Sequence, residues 1–392
     1  MPKGCKLVYP GKESEYDIIH KTPHASLSVV KVFEGKPELT SGWTNMLIYG
    51  DNLPVLKSLL RNKEVKGRVR LVYIDPPFGT GQKWRGGRAT VSFSDADELA
   101  YEDMEFSAEY LEFLRKRLIL LRELLADDGS IYVHVDCKVG HYVKVLMDEI
   151  FGEENFINDI TRIKCNPKNF ARRGYGNIKD MILFYSKTDK IVWNDSREPF
   201  TEEDIKRLFP KVDKDGRRYT TTPLHAPGET KNGATGRPWR GILPPKGRHW
   251  SYPPEVLEEL DRQGLIEWSK RGIPRKKIYA DEFIKKGKKR QDVWEFKDPP
   301  YPDYPTEKNL DMLKVIIEAS SNPGDIVLDA FCGSGTTLVA SEILNRRWIG
   351  IDNSPLAIKT TIKRLLNIKH HKMFTLYNAT GEPLPQTLQK IL

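Results

Sequence analysis

An α/β fold with a mostly parallel sheet, interrupted by an inserted domain, is what this sequence predicts. Three observations carry the prediction. Short apolar runs alternate with amphipathic helical patterns on both sides of residues 195–300. Two of those runs stop abruptly, at Asp75-Pro76-Pro77 and at Asp329-Ala330-Phe331-Cys332-Gly333. The stretch between them differs in composition: residues 201–300 hold 23 Lys and Arg against 16 Asp and Glu, and four of the eight tryptophans.

Taken in order, residues 1–48 are mixed and polar, with an alternation over Ala25–Phe33 that makes one or two edge strands. Leu71–Ile74 is a buried strand, halted by the prolines that follow it. Ser107 caps a helix that runs to about Ala126, with Tyr110, Leu111, Leu114, Leu118, Leu121 and Leu125 along one side. Gly129 ends it, and Ser130–Val135 is the next strand. Val139–Phe151 is a helix and Met181–Ser186 a strand. The basic stretch that follows is rich in Pro and Gly and reads as short strands and loops. From Tyr301 the α/β pattern resumes. Thr306–Ser320 is a helix, Ile326–Ala330 a strand, Thr336–Leu344 a helix, Trp348–Ile351 a strand and Pro355–Leu366 a helix. Strand–helix alternation of this kind covers a parallel sheet on both faces.

The chain has 392 residues, enough for about two domains. Its net charge of +9 favours a polyanionic partner over an acidic metabolite. No apolar run reaches the roughly 18 residues of a membrane span, and the N-terminus lacks the apolar stretch of a signal peptide. Cys5, Cys137, Cys165 and Cys332 are far apart with no CxxC spacing, which disfavours a zinc site or a disulfide framework. No metal and no membrane are expected, and a reducing cytoplasm is the expected compartment.

Two motifs carry chemistry. In Leu328-Asp329-Ala330-Phe331-Cys332-Gly333-Ser334-Gly335-Thr336-Thr337, the glycines let the backbone turn tightly between strand and helix and approach a ligand closely. Asp352, 19 positions after Gly333, stands at the tip of the next strand, where a carboxylate accepts from ribose hydroxyls. The third glycine of a dinucleotide fingerprint is replaced by threonine, which favours a nucleoside without phosphates over a pyrophosphate. The second motif is Tyr73-Ile74-Asp75-Pro76-Pro77-Phe78. Its prolines hold the Asp75 carboxylate and nearby carbonyls rigidly at a strand end. Phe78 adds a flat apolar face. Carboxylate, carbonyl and ring together suit a planar amine.

Together these motifs resemble the S-adenosylmethionine-dependent, amino-methylating DNA methyltransferases. Asp75-Pro76-Pro77-Phe78 precedes the insertion and Phe331-Cys332-Gly333-Ser334-Gly335 follows it, the order of the beta class that includes type III modification subunits. Tyr49–Leu53, Gly129–Asp136 and Tyr304–Lys308 are similar to further family stretches, so the likeness covers roughly residues 45–190 and 300–367. It implies a Rossmann-like methyltransferase fold with a mostly parallel seven-stranded sheet. The implied divisions are an N-terminal extension (1–46), a catalytic half (47–194), a target-recognition insertion (195–300) and a cofactor-binding half (301–392).

The resemblance implies S-adenosyl-L-methionine as cofactor. Asp51, Asn52 and Leu53 would surround its adenine, and Asp352 with Asn353 its ribose. Asp329, Phe331, Cys332, Gly333, Ser334, Gly335, Thr336 and Thr337 would form the methionine pocket, with Lys308 at its end. Asp75, Pro76, Pro77 and Phe78 would act on a base rotated out of the duplex. Double-stranded DNA is the implied partner, met by Lys83, Arg85 and Arg88 in a Gly-rich loop, by Arg172 and Arg173, and by Arg237, Arg240, Lys246, Arg248 and Trp250 in the insertion. A homodimer and a cognate restriction endonuclease are further implied partners. A chain shorter than the usual type III modification subunit favours a stand-alone enzyme. Adenine N6 is the expected target because Ser often replaces Asp75 in enzymes acting on cytosine N4. Cytosine N4 is the alternative, and a protein glutamine amide a more distant one, with its own Asn-Pro-Pro-Tyr motif and the opposite motif order.

Overall fold

The computed structural model describes residues 5–36, 42–85, 99–167, 173–230, 232–270, 272–300, 302 and 304–391. The chain divides into two units, Met1–Asp195 with Gln291–Leu392, and Ser196–Arg290. The larger unit holds one ten-stranded sheet. Its strands are β1 (Ser28–Phe33), β2 (Asn45–Tyr49), β3 (Val69–Ile74), β4 (Leu125–Val135), β5 (Phe156–Ile163), β6 (Lys179–Ser186), β7 (Val293–Glu295), β8 (Ile326–Asp329), β9 (Arg347–Asp352) and β10 (Phe374–Asn378). Their spatial order is β1-β10-β2-β9-β8-β3-β4-β6-β5-β7. Every pairing is parallel except those made by β1 and β6.

Helices α1 (Glu15–Lys21), α2 (Asn52–Leu59), α3 (Ala108–Leu124), α4 (Gly140–Phe151), α5 (Leu310–Ser320), α6 (Thr336–Ile343) and α7 (Pro355–Leu366) accompany the sheet. The central strands are buried on both faces, which is why they read as apolar runs rather than as alternation. Val72 and Ile74 of β3 join the cluster formed with Leu114, Leu118 and Leu121 of α3. Leu71 and Tyr73 join Met312, Leu313 and Ile316 of α5 on the other side. Truncating one such fully buried Leu or Ile to Ala costs about 2–5 kcal/mol.

The strand order creates the site. From β8 the chain moves to β9 on one side, whereas from β3 it moves to β4 on the other. Two adjacent parallel strands whose connections diverge leave a crevice outside their carboxyl ends. Register pairs Leu328 with Val72, so Asp329 and Asp75, far apart in sequence, come to the same edge.

The structure departs from the sequence expectations in several places. The sheet has ten strands rather than seven, and its edges are β1, paired with β10, and β7, paired with β5. Strand β7 lies inside the stretch expected to be insertion, and residues from Gln291 onward belong to the larger unit. Helix α3 stops at Leu124, where Leu125 turns extended and β4 begins. Helix α5 starts at Leu310, not at Thr306. Thr306 has φ 59, outside the helical region, and the Asn309 side chain caps the helix by accepting from the Asp311 and Met312 N–H groups. Strand β5 has no apolar run in its sequence, FINDITRI, so the sequence pattern does not mark it.

The smaller unit carries a four-stranded antiparallel sheet, in the order Lys211–Val212, Arg218–Pro223, Pro274–Tyr279, Ile266–Trp268. Leu224, Trp239, Trp250, Leu257 and Ile266 form its core. Among the described residues, no helix is long and apolar enough to cross a membrane.

Candidate active site

A cavity of about 940 Å³ opens at the crevice, lined from both strand ends. On one side it meets Asp75, Pro76, Pro77 and Phe78. On the other it meets Asp329, Phe331, Cys332, Gly333, Ser334, Thr336 and Thr337, with Asp352 and Asn353 beyond. Asp51, Asn52 and Lys308 complete this set. Of the residues expected to bind cofactor, Leu53 and Gly335 do not line it. Leu53 packs against the core instead.

The turn after β3 is held from outside. The Tyr110 hydroxyl donates to the Pro77 carbonyl at 2.6 Å. Buried Asp103 accepts from the Gly79 N–H at 3.2 Å and the Thr80 N–H at 2.9 Å. With its backbone pinned, Asp75 presents two unequal oxygens. Oδ2 is ion-paired with the Lys308 ammonium. Oδ1 is buried and has no hydrogen-bond partner among the described residues. A buried carboxylate oxygen without a donor is costly and marks a seat for one. Phe78 stands beside it, its ring centre 5.6 Å from the Lys308 Nζ.

The loop after β8 is built differently. Gly333 and Gly335 have φ 49 and 75, and a Cβ on Gly335 would lie 2.6 Å from the Thr361 side chain. Asp329 accepts from the Phe331 N–H at 3.0 Å and the Thr337 hydroxyl at 2.6 Å. Asp352 accepts from the Gly333 N–H at 2.8 Å and the Ser354 N–H at 2.9 Å. Burial pushes the Asp329 carboxyl up to about 7 and that of Asp352 up to about 6. The loop therefore comes pre-shaped, and each carboxylate keeps further lone pairs for a ligand.

Two arginines that sequence reasoning missed brace this region. Arg117 of α3 ion-pairs with Asp51 at 2.8 Å and donates to Asn52, which in turn donates to the Ala330 carbonyl at 2.6 Å. Burial lowers the Arg117 guanidinium to about 10. Arg364 of α7 donates to the Ser334 carbonyl and to the hydroxyls of Ser334 and Thr336 at 2.7–3.1 Å, and pairs with Glu307 at 3.2 Å. The available signal for Arg117 was a charge one position before Leu118, within an apolar helix face.

A buried polar chain lies under Phe78. The His134 Nε2–H donates to Asp180 at 3.2 Å, and its Nδ1 accepts from the Tyr73 hydroxyl at 2.8 Å. Burial lowers the His134 pKa, against the pull of Asp180. Lys164 also pairs with Asp180, at 2.7 Å.

The residues expected to meet DNA fall in both units. Lys83 and Arg85 lie on a short strand, Lys83–Arg85, paired with Leu99–Glu102. Arg173 is exposed. Arg88 and Arg172 lie outside the described residues. In the smaller unit Lys246 and Arg248 are exposed. Arg237 pairs with Glu255 at 2.7 Å, and Arg240 with Glu258 and Asp261 at 2.6 Å each. Trp250 requires a correction. It is 2% exposed, within the core of that unit, and its indole N–H donates to the Arg237 carbonyl at 3.1 Å. It builds the unit rather than its surface.

A family model described as DNA methylase, of the N6/N4 type, matches residues 69–363. The Type II methyltransferase M.EcaI of Enterobacter cloacae is 45% identical over 372 residues, covering 93% of this chain and 78% of that protein. The StyLTI Mod subunit, a type III restriction-modification enzyme of Salmonella typhimurium, is 29% identical over 344 residues. That match covers 77% of this chain but only 50% of the subunit, so the chain spans about half its length. Among solved structures, the M1.HpyAVI-SAM complex aligns with a TM-score of 0.43 at 19% identity, over 82% of this chain and all of that one.

Proposed function

Since the chain belongs to the N6/N4-type DNA methylase family, and is thereby a DNA methyltransferase, we propose that it methylates the exocyclic N6 of adenine in duplex DNA. The observation that carries the reading is the unsatisfied Oδ1 of Asp75, held at a strand end beside Phe78 and across the crevice from a glycine-turned loop. An aspartate at this position favours adenine over cytosine in the family.

S-adenosylmethionine supplies an electrophilic methyl group on a sulfonium when bound. The residues present fit it. Asp352, at the tip of β9, accepts from the ribose hydroxyls. Asp51 and Asn52 flank its adenine. Thr336 and Thr337, at the N-terminus of α6, meet the carboxylate of its methionine. None of these roles requires a metal.

On the substrate side, the lone pair of the adenine amine is delocalised into the ring, so the nitrogen is a poor nucleophile. Asp75 Oδ1 and the Pro76 carbonyl each accept one N–H bond. This favours a tetrahedral nitrogen whose lone pair points at the methyl carbon. Phe78 stacks on the base after it leaves the duplex. Positioning lowers the barrier first. The two acceptors then stabilise positive charge as it grows on nitrogen. No covalent intermediate forms: the new N–CH3 bond forms as the sulfonium S–CH3 bond breaks, and the surplus amine proton passes by way of Asp75 to water. Lys83, Arg85, Arg173, Lys246 and Arg248 contact phosphates. Partnership with a second copy and with a restriction endonuclease belongs to the same reading.

The test is mass spectrometry of nucleosides from unmethylated DNA treated with the protein and S-adenosylmethionine. N6-methyladenine is expected. N4-methylcytosine would keep the site and the mechanism and overturn the choice of base. Label in protein and none in DNA would overturn the reading altogether.

A further inference from the structure

One wall of the cavity carries an ion pair of unusual placement. Glu307 lines the cavity together with Ser334 and Thr336, whereas Arg364 does not line it and stands behind them. Both charged side chains are largely buried, 13% and 16% exposed. Nη2 of Arg364 is 3.2 Å from Oε1 of Glu307. Nη1 of the same guanidinium donates to the Ser334 carbonyl at 3.1 Å, the Ser334 hydroxyl at 2.7 Å and the Thr336 hydroxyl at 2.9 Å.

An arginine only donates, so hydroxyls that accept from it must send their own protons elsewhere. The Ser334 and Thr336 oxygens lie 3.2 Å apart, and one of the two protons can bridge them. The other is left for a ligand in the cavity. Thr337 has no proton to spare, because its hydroxyl donates to Asp329 at 2.6 Å. One guanidinium thus sets an acceptor, Glu307, close beside a hydroxyl donor. An α-amino acid carries its ammonium and carboxylate on one carbon and needs an acceptor and a donor just as closely set. Glu307 keeps lone pairs beyond those that face Arg364, which suits the ammonium. A lone carboxylate on that wall would repel the methionine carboxylate, and pairing with Arg364 offsets the repulsion.

We infer that Glu307 and Arg364 together read the zwitterionic end of S-adenosylmethionine. Glu307 accepts from the α-ammonium. Arg364, from behind, holds Ser334 and Thr336 so that the Thr336 hydroxyl donates to the carboxylate. The inference rests on the proposed seating of the cofactor in the loop after β8. Arg364 is a positioning residue that acts through a hydroxyl, while Glu307 touches the ligand itself.

Calorimetry on the full chain tests this with three ligands. They are S-adenosylmethionine, its decarboxylated form, which keeps the sulfonium and an amine, and 5′-methylthioadenosine, which lacks both charged ends. Arg364→Met and Thr336→Val should each weaken S-adenosylmethionine by about 3- to 10-fold, the worth of an ordinary hydrogen bond, and change the other two ligands by less than about twofold. The double variant should lose no more than Arg364→Met alone, because the arginine acts through that hydroxyl. Glu307→Gln should weaken both ligands that carry an amine and spare 5′-methylthioadenosine. Equal losses on all three ligands, or additive losses in the double variant, overturn the inference, since the pair would then merely hold the loop. If Arg364→Met fails to fold, Thr336→Val and Glu307→Gln carry the same comparison. Wild-type protein that does not bind S-adenosylmethionine, or whose affinity ignores Asp352→Ala, overturns the seating itself. That outcome is distinct from a protein that binds the cofactor there without preferring it to the decarboxylated form.

Discussion

The turns after β3 and β8 are neighbours at one sheet edge, yet they handle their carboxylates in opposite ways. After β8, Asp329 accepts two hydrogen bonds from its own loop, which turns on Gly333 and Gly335 with positive φ, and Asp352 at the end of β9 accepts one from Gly333 of that loop and one from Ser354. After β3, prolines fix the backbone and Asp75 is left with one buried oxygen unmet. Satisfied carboxylates shape a binding surface before any ligand arrives. An unsatisfied one is kept for the step in which a donor enters. The difference supports the proposal that Asp75 acts on substrate while Asp329 and Asp352 build the pocket, and it can be attacked from either side.

The largest effect should come from Asp75→Ala. Loss of a preorganised acceptor at the reacting atom typically costs about 10²–10³ in kcat, and here methyl transfer to DNA should fall by at least that much. S-adenosylmethionine affinity by calorimetry should stay nearly unchanged. Retained turnover would mean another group accepts the amine. Asp352→Ala should do the reverse. A charged hydrogen bond is worth roughly 1.5–3 kcal/mol, so cofactor affinity should drop by about tenfold or more. Unchanged affinity would remove the ribose role.

Gly335→Ala tests the loop itself. The new Cβ meets Thr361, and alanine at φ 75 is strained, for a cost of about 1–3 kcal/mol in thermal or urea stability. A neutral outcome would show that the loop yields more easily than its hydrogen bonds suggest.

The smallest and most specific test is pH. The buried Asp329 carboxyl, raised to about 7, keeps its proton in the folded protein after the unfolded chain has released it. Folded protein then binds more protons than unfolded protein between about pH 4 and 7, so this residue makes stability fall as pH rises through that window and leaves it level above. Asp352, raised to about 6, acts with the same sign. Asp329→Asn removes the first contribution. Relative to wild type it should gain on the order of 1 kcal/mol or more between pH 5 and pH 8 in denaturant melts. An unchanged difference would mean that Asp329 is ionised throughout.

Within the fold, legibility followed burial. The strands buried on both faces, β3, β8 and β9, are apolar runs and were readable. Strand β5, with alternate residues exposed, was not. The insertion shows a limit of another kind. Its basic and aromatic composition pointed to a contact surface, but composition does not say which aromatics face outward. Trp239 and Trp250 turned inward, because so small a unit needs large side chains to make a core.

What the sequence by itself determined is local: two strands that must stop, prolines and glycines that dictate how they turn, and carboxylates at fixed offsets from those turns. These depend on φ preferences and apolar patterning over a few residues, which neighbours in sequence settle. Only the tertiary structure decided that β8 lies beside β3, that Arg117 braces Asn52, and that Lys308 reaches Asp75. Those contacts join residues up to hundreds of positions apart. They follow from the order in which parallel strands bury both faces, and no local preference encodes that order.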